Sequence, residues 1–153
     1  MKTALLAGCL ALVTALSTLA ADSAASPWKT DLPAAKTEAR KDKKVILMDF
    51  TGSDWCGWCI KMKKDTLDQK AFLDYAAKSL VLVEVDFPNR KSQPADLKKA
   101  NKALQDKYGV QGFPTYVLVD ADGKELGRQV GYLQGGPTAF IDQIEAWKKS
   151  PAK

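Results

Sequence analysis

Two cysteines separated by two residues, in Trp55-Cys56-Gly57-Trp58-Cys59, stand where an apolar run gives way to a helix-forming one. Before them lies Val45-Ile46-Leu47-Met48-Asp49-Phe50, which reads as a buried strand. After them Ile60-Lys61-Met62-Lys63-Lys64 reads as a helix. A pair so spaced either closes a small disulfide ring or stands open as a dithiol. At a helix N-terminus the first thiol meets unpaired backbone N–H groups and the positive end of the helix dipole, and both favour a thiolate. Cys56 is thus expected to titrate below the ordinary thiol value of about 8.5, in the roughly 3.5–7.5 range of reactive cysteines. Cys56 reads as a nucleophile and Cys59, one turn on and less exposed, as a resolving thiol. The alternative is a permanent disulfide, although a ring this small removes only about 2 kcal/mol of unfolded-chain entropy.

The rest of the composition narrows the chemistry. The chain of 153 residues has no histidine, which removes His-based acid/base catalysis, Cys/His protease chemistry and the usual zinc ligand sets. Of its three cysteines, Cys9 falls in an apolar leader, and two thiolates make half a tetrahedral zinc site, so no metal is expected. The net charge of +5 is mild, and the lysine pairs are scattered rather than gathered. They read as solvated helix faces, with no case for nucleic-acid binding.

Residues 1–20 have the pattern of a signal peptide. Met1-Lys2 is a short positive start, the stretch to Leu19 is apolar, and Thr18-Leu19-Ala20 offers a cleavage site after Ala20. A retained membrane anchor and lipidation at Cys9 are the alternatives to cleavage. The expected compartment is outside the cytosol, periplasmic or secreted. Residues 21–32 read as a linker and 33–150 as one domain. Within it we expect a helix over 33–41 capped by Asp31 or Thr30, a strand over 45–50, and helices over 57–65 and 69–79. A strand over 80–86, a helix over 94–108, a hairpin of strands 116–119 and 124–130, a glycine-rich loop over 131–138 and a helix over 140–149 complete the chain. This order predicts an α/β fold with a mixed sheet of about four strands and helices on both faces.

The same residues carry a resemblance. Trp-Cys-Gly-x-Cys after a strand ending Asp49-Phe50, then Gly112-Phe113-Pro114-Thr115 some 55 residues past Cys59, then Gly131-Tyr132, resemble the active-site, cis-proline and glycine loops of the thioredoxin family. The chain looks most like small exported thioredoxin-like proteins of bacteria, and is similar in type to the C-terminal periplasmic domain of the DsbD reductase. The resemblance implies a thioredoxin fold with an N-terminal helical extension. It also implies catalytic roles for Cys56, Cys59 and Asp49, the last as proton acceptor for Cys59, and a cis bond before Pro114. Departures are the Gly57-Trp58 pair inside the motif where cytoplasmic thioredoxins carry Gly-Pro, one extra residue between Asp49 and Cys56, and no lysine on the strand 80–85 to pair with the aspartate.

Around the sulfur, Trp55, Gly57, Trp58, Phe113, Pro114, Gly131 and Tyr132 are the expected substrate-binding residues, with the aromatic ones as an apolar rim. Core packing is the competing reading for those rings. Asp54 reads as a solvated loop residue. The function expected is a thiol:disulfide oxidoreductase, in the reducing direction, without organic cofactor or metal. Its expected partners are disulfide-containing exported proteins as substrates and a membrane thiol-electron donor of the DsbD kind, and the chain is expected to be a monomer. An oxidase or isomerase, and a non-catalytic binding module for unfolded chains, are the alternatives.

Overall fold

The computed structural model describes residues 26–149. The expected signal peptide and residues 21–25 of the expected linker lie outside the described residues. A five-stranded sheet forms the centre, in the order β1-β3-β2-β4-β5: β1 (Trp28–Lys29), β2 (Val45–Thr51), β3 (Leu80–Asp86), β4 (Thr115–Val119) and β5 (Glu125–Val130). β1 and β2 each run parallel to β3, whereas β4 is antiparallel to both β2 and β5. The sheet is mixed, as expected, but has one strand more than the sequence pattern indicates. The extra strand falls within the stretch read as linker, where Trp28 and Lys29 pair with Leu82 and Val83. Two residues are too short for any alternation to show.

Side-chain alternation along the central strands assigns the helices to faces. On β2, Ile46, Met48 and Phe50 join one core with Val81, Val83 and Val85 of β3, packed against α1 (Leu32–Asp42) through Leu32, Ala35 and Ala39. Leu104 of α4 (Ala95–Lys107) lies against the same core. Leu47 of β2 and Leu80 and Leu82 of β3 point the other way. They meet Met62 of α2 (Gly57–Met62), Phe72 and Ala76 of α3 (Lys70–Ser79), and Phe140 and Ile144 of α5 (Gly136–Lys149). Helices therefore cover both faces.

Local chemistry explains the boundaries. Asp31 caps α1 by accepting from the Ala34 N–H at 2.9 Å, and Pro33 sits in the first turn, where its missing N–H costs nothing. The helix expected over 57–65 ends as an α-helix at Met62 and continues as a π-helical turn, Lys63–Leu67, closed by the Asp68 N–H bonding to the Lys63 carbonyl. α5 begins at Gly136, four residues before the expected start. The Gly135-Gly136 pair reads as loop, yet Pro137 suits the first turn of a helix.

Candidate active site

β2 ends at Thr51 and the chain turns through Gly52 into Cys56, the N-cap of α2. Hydrogen bonds from the Trp55 and Cys56 N–H groups to the Gly52 carbonyl hold this turn. Cys56 and Cys59 are joined by a disulfide, with their Cα atoms 5.2 Å apart. The Cys59 N–H points at Cys56 Sγ, 3.2 Å away. A backbone donor held there stabilises a thiolate on Cys56 once the bond is reduced. Cys56 is 7% exposed and Cys59 3%, the order expected of a nucleophile and a resolving thiol.

The loop before β4 meets the cysteine motif where Phe113 packs against Trp55. The Phe113–Pro114 peptide bond is cis, as the resemblance implies. The Pro114 carbonyl accepts from the Gly131 N–H at 2.8 Å, which ties this loop to the end of β5. Gly131 has φ +80°, a backbone region that side-chain-bearing residues rarely adopt. A groove of about 320 Å³ runs between Trp58, Phe113, Pro114, Gly131, Tyr132 and Gln134. Five expected substrate-binding residues thus share one groove, and Gln134 is an addition that no motif marked.

The aromatic rim is divided in two. Trp58 is 60% exposed and packs on Tyr132, with ring centroids 5.5 Å apart. The Tyr132 hydroxyl donates to Asp65, which also accepts from Lys61. These two donors hold the Asp65 carboxyl below the usual carboxylate range, the Lys61 bond contributing most. Trp55 does not line the groove. It is 44% exposed, donates its indole N–H to the Phe87 carbonyl at 2.8 Å, and meets Phe113 edge-on at 6.0 Å. Phe87 stacks on Phe113 with ring centroids 5.1 Å apart. Gly57 opens α2 with free space beside its Cα and is not part of the groove.

Asp54 differs from the expectation of a merely solvated residue. Its carboxylate accepts from the backbone N–H groups of Asn89, Arg90 and Lys91, at 2.9, 2.7 and 2.9 Å. Those bonds, Asn89 first, hold its carboxyl below the usual range. They pin the loop after β3 against the cysteine motif. Nothing in the sequence marks the partnership, because its donors are backbone groups 35 to 37 residues away.

Behind the disulfide is a second cavity, of about 280 Å³, whose walls include Asp49, Cys59, Lys63, Glu84, Asp86 and Lys91. Asp49 is 7% exposed, and its Oδ1 is buried with no hydrogen-bond partner. Burial, then the charges of Glu84 and Asp86, push its carboxyl well above the usual range, and Lys63 opposes them. Such a carboxyl is better matched to accept a thiol proton than an exposed one. β3 carries no lysine to pair with Asp49; Lys63 lines the cavity from the π-helical turn with its ammonium paired to Asp68, and acts on Asp49 through its charge alone.

Comparison with known proteins places this geometry. The model of a family described as "Thioredoxin-like domain" matches residues 32–146. A disulfide bond reductase, DsbH of Chlamydia pneumoniae, is 41% identical over 112 residues, covering 73% of this chain and 67% of that protein. The thiol:disulfide interchange protein DsbD of Actinobacillus pleuropneumoniae is 34% identical over 101 residues, 65% of this chain but only 16% of its own length. A solved DsbH oxidoreductase superposes with a TM-score of 0.75 at 39% identity, covering 80% of this chain and 83% of its own.

Proposed function

The chain belongs to the thioredoxin family, and on that premise we propose that it is a thiol:disulfide oxidoreductase working in the reducing direction on protein disulfides. The observation that carries the reading is the Cys56–Cys59 pair at the start of α2, with the Cys59 N–H aimed at Cys56 Sγ. In the reduced enzyme the Cys56 thiolate attacks a substrate disulfide. One substrate thiolate leaves, and a mixed disulfide forms. The Cys59 thiol gives its proton to the Asp49 carboxylate, and the resulting thiolate attacks Cys56 Sγ. The Cys56–substrate bond breaks, the second substrate thiolate leaves and takes a proton from water, and the Cys56–Cys59 disulfide is restored. Two electrons have passed from enzyme to substrate.

The groove between Trp58, Tyr132 and the cis-proline loop receives the extended segment around the substrate cysteine. Backbone pairing along the Phe113–Pro114 edge supplies affinity with little side-chain selectivity. Similarity to a disulfide bond reductase supports the reducing direction, as does the absence of a histidine between the cysteines. The apolar start of the chain supports export, and with it a membrane thiol donor of the DsbD kind to re-reduce the pair. No helix among the described residues is long and apolar enough to cross a membrane. We take the working unit to be a monomer, since one chain supplies both cysteines and both loops of the groove.

The test is reduction of insulin disulfides by the purified chain with a dithiol as electron source, beside refolding of a scrambled disulfide protein. The reading expects the first and not the second. Cys56→Ser must abolish turnover. A Cys56→Ser protein that still suppresses aggregation of unfolded chains, from a parent without turnover, would point instead to a binding module.

A further inference from the structure

Asp49 and Glu84 stand at matched positions on neighbouring parallel strands, β2 and β3, so their side chains leave the same face of the sheet. Along that face the pattern changes from apolar to acidic: Leu47, Asp49 and Thr51 on β2, and Leu80, Leu82, Glu84 and Asp86 on β3. Two carboxylates in direct register repel each other, so the arrangement costs stability unless one of them holds a proton. Asp86 is occupied elsewhere, accepting from the Ser53 N–H and hydroxyl at 2.9 and 2.6 Å. Glu84 has no hydrogen bond or ion pair among the described residues, and the cavity beside it also reaches Cys59.

Exposure rises in steps along this cavity. Cys59 and Asp49 are buried, Glu84 is half-buried, and Lys63 and Lys91 are exposed. Its volume of about 280 Å³ is ample for water, which needs roughly 10–15 Å³, and although Trp28, Ile60 and Leu67 make much of its wall apolar, Asp49, Glu84, Asp86, Lys63 and Lys91 supply polar partners. We propose that Glu84 is a positioning residue for proton transfer: acting through Asp49, it sets that carboxylate's basicity and hands the proton of Cys59 along the cavity to solvent. The inference rests on the oxidoreductase reading and deepens it. The proton leaves Cys59 for Asp49 as the Cys59 lone pair forms the bond to Cys56 Sγ. It then passes to the Glu84 carboxylate, directly or through water, and on to bulk.

The charged and titratable groups facing Asp49 are Glu84 and Asp86 from β3, Lys63 from the π-helical turn, and Tyr116 from β4, its register partner, with a hydroxyl that is buried and unpaired. Glu84 itself faces Asp86, Lys63 and Lys91. Burial and Asp86 hold the Glu84 carboxyl above its usual range. The charge of Glu84 is thus one of those that raise the Asp49 carboxyl, and neutralising Glu84 lowers it.

The test loads Cys56 with 5-thio-2-nitrobenzoate as a mixed disulfide and follows release of the coloured thiolate as Cys59 attacks, from pH 5 to 9. With Glu84→Gln, the rise of the rate with pH moves to lower pH, because Asp49 loses a repelling neighbour. Its plateau falls by roughly threefold or more, because the weaker base removes the thiol proton more slowly. Glu84→Asp restores part of both changes. Lys63→Gln, in place of a cation that favours ionised Asp49, moves the rise to higher pH. Merely structural damage would not shift the profile in opposite directions for the two substitutions. A Glu84→Gln profile that superposes on the parent's, or shifts of the same sign for Glu84→Gln and Lys63→Gln, would overturn the proposal while leaving the oxidoreductase reading intact. A parent that neither releases the thiolate nor reduces insulin would overturn both.

Discussion

A Cβ built on Gly52 would lie 2.4 Å from Cε2 of Trp55. The indole therefore occupies the space a side chain at position 52 would need, and this close approach aims its N–H at the Phe87 carbonyl. Gly52→Ala should push Trp55 off that carbonyl and away from the edge of Phe113. Overpacking of this kind destabilises a fold by about 1–3 kcal/mol. The expected outcome is a lower urea midpoint, a red shift of Trp55 fluorescence and weaker binding of peptide disulfides. Unchanged fluorescence would show that the indole position does not depend on Gly52.

The Asp54 carboxylate should hold the loop after β3 over most of the pH range. Its folded pKa is depressed, so the anchoring is fully present above the unfolded value of about 3.9 and is lost as pH falls through the depressed folded value. The backbone amide resonances of Asn89, Arg90 and Lys91 should therefore titrate together, with a midpoint below that of a free aspartate. Asp54→Asn should remove the shared titration and speed proteolysis in this loop. Three independent midpoints would contradict the assignment.

Gly127 on β5 faces Trp147 of α5 so closely that an added Cβ would come within 2.2 Å of the indole Cγ. Gly127→Ala must displace a rigid ring and should cost about 1–3 kcal/mol in urea unfolding. The site lies elsewhere, so insulin reduction per folded molecule should be unchanged.

The order of exposure of the two cysteines gives a trapping experiment. Cys59→Ser leaves the Cys56 thiolate able to attack but removes the resolving thiol, so covalent complexes with substrate should accumulate on Cys56. Cys56→Ser leaves only the less exposed cysteine and should trap little. Non-reducing electrophoresis reads both, and equal trapping by the two variants would contradict the division of roles.

The legible parts of this fold were those written in short stretches. The apolar runs of β2 and β3, the Cys56–Cys59 spacing and the Gly112-Phe113-Pro114-Thr115 string each announce themselves within a few residues, and the groove around them follows. Trp28-Lys29 did not, because a two-residue strand has no period. The π-helical turn at Lys63–Leu67 did not, because its composition is that of any polar helix end, although it places Lys63 on the cavity that Asp49 also lines and brings Asp65 to Tyr132. Asp54 looked idle because its partners are backbone amides far along the chain. Glu84 passed unnoticed for a different reason: what matters about it is its register with Asp49, and strand register is a tertiary fact.

The reduction potential of the Cys56–Cys59 pair tests the central claim most directly. It can be titrated in a thiol buffer and read from the fluorescence of Trp55 and Trp58, which flank the sulfurs. A reductase fed by a membrane donor should show a value near the thioredoxin end of the scale, roughly −250 mV or lower. A value near about −120 mV would make the pair an oxidant and contradict the account.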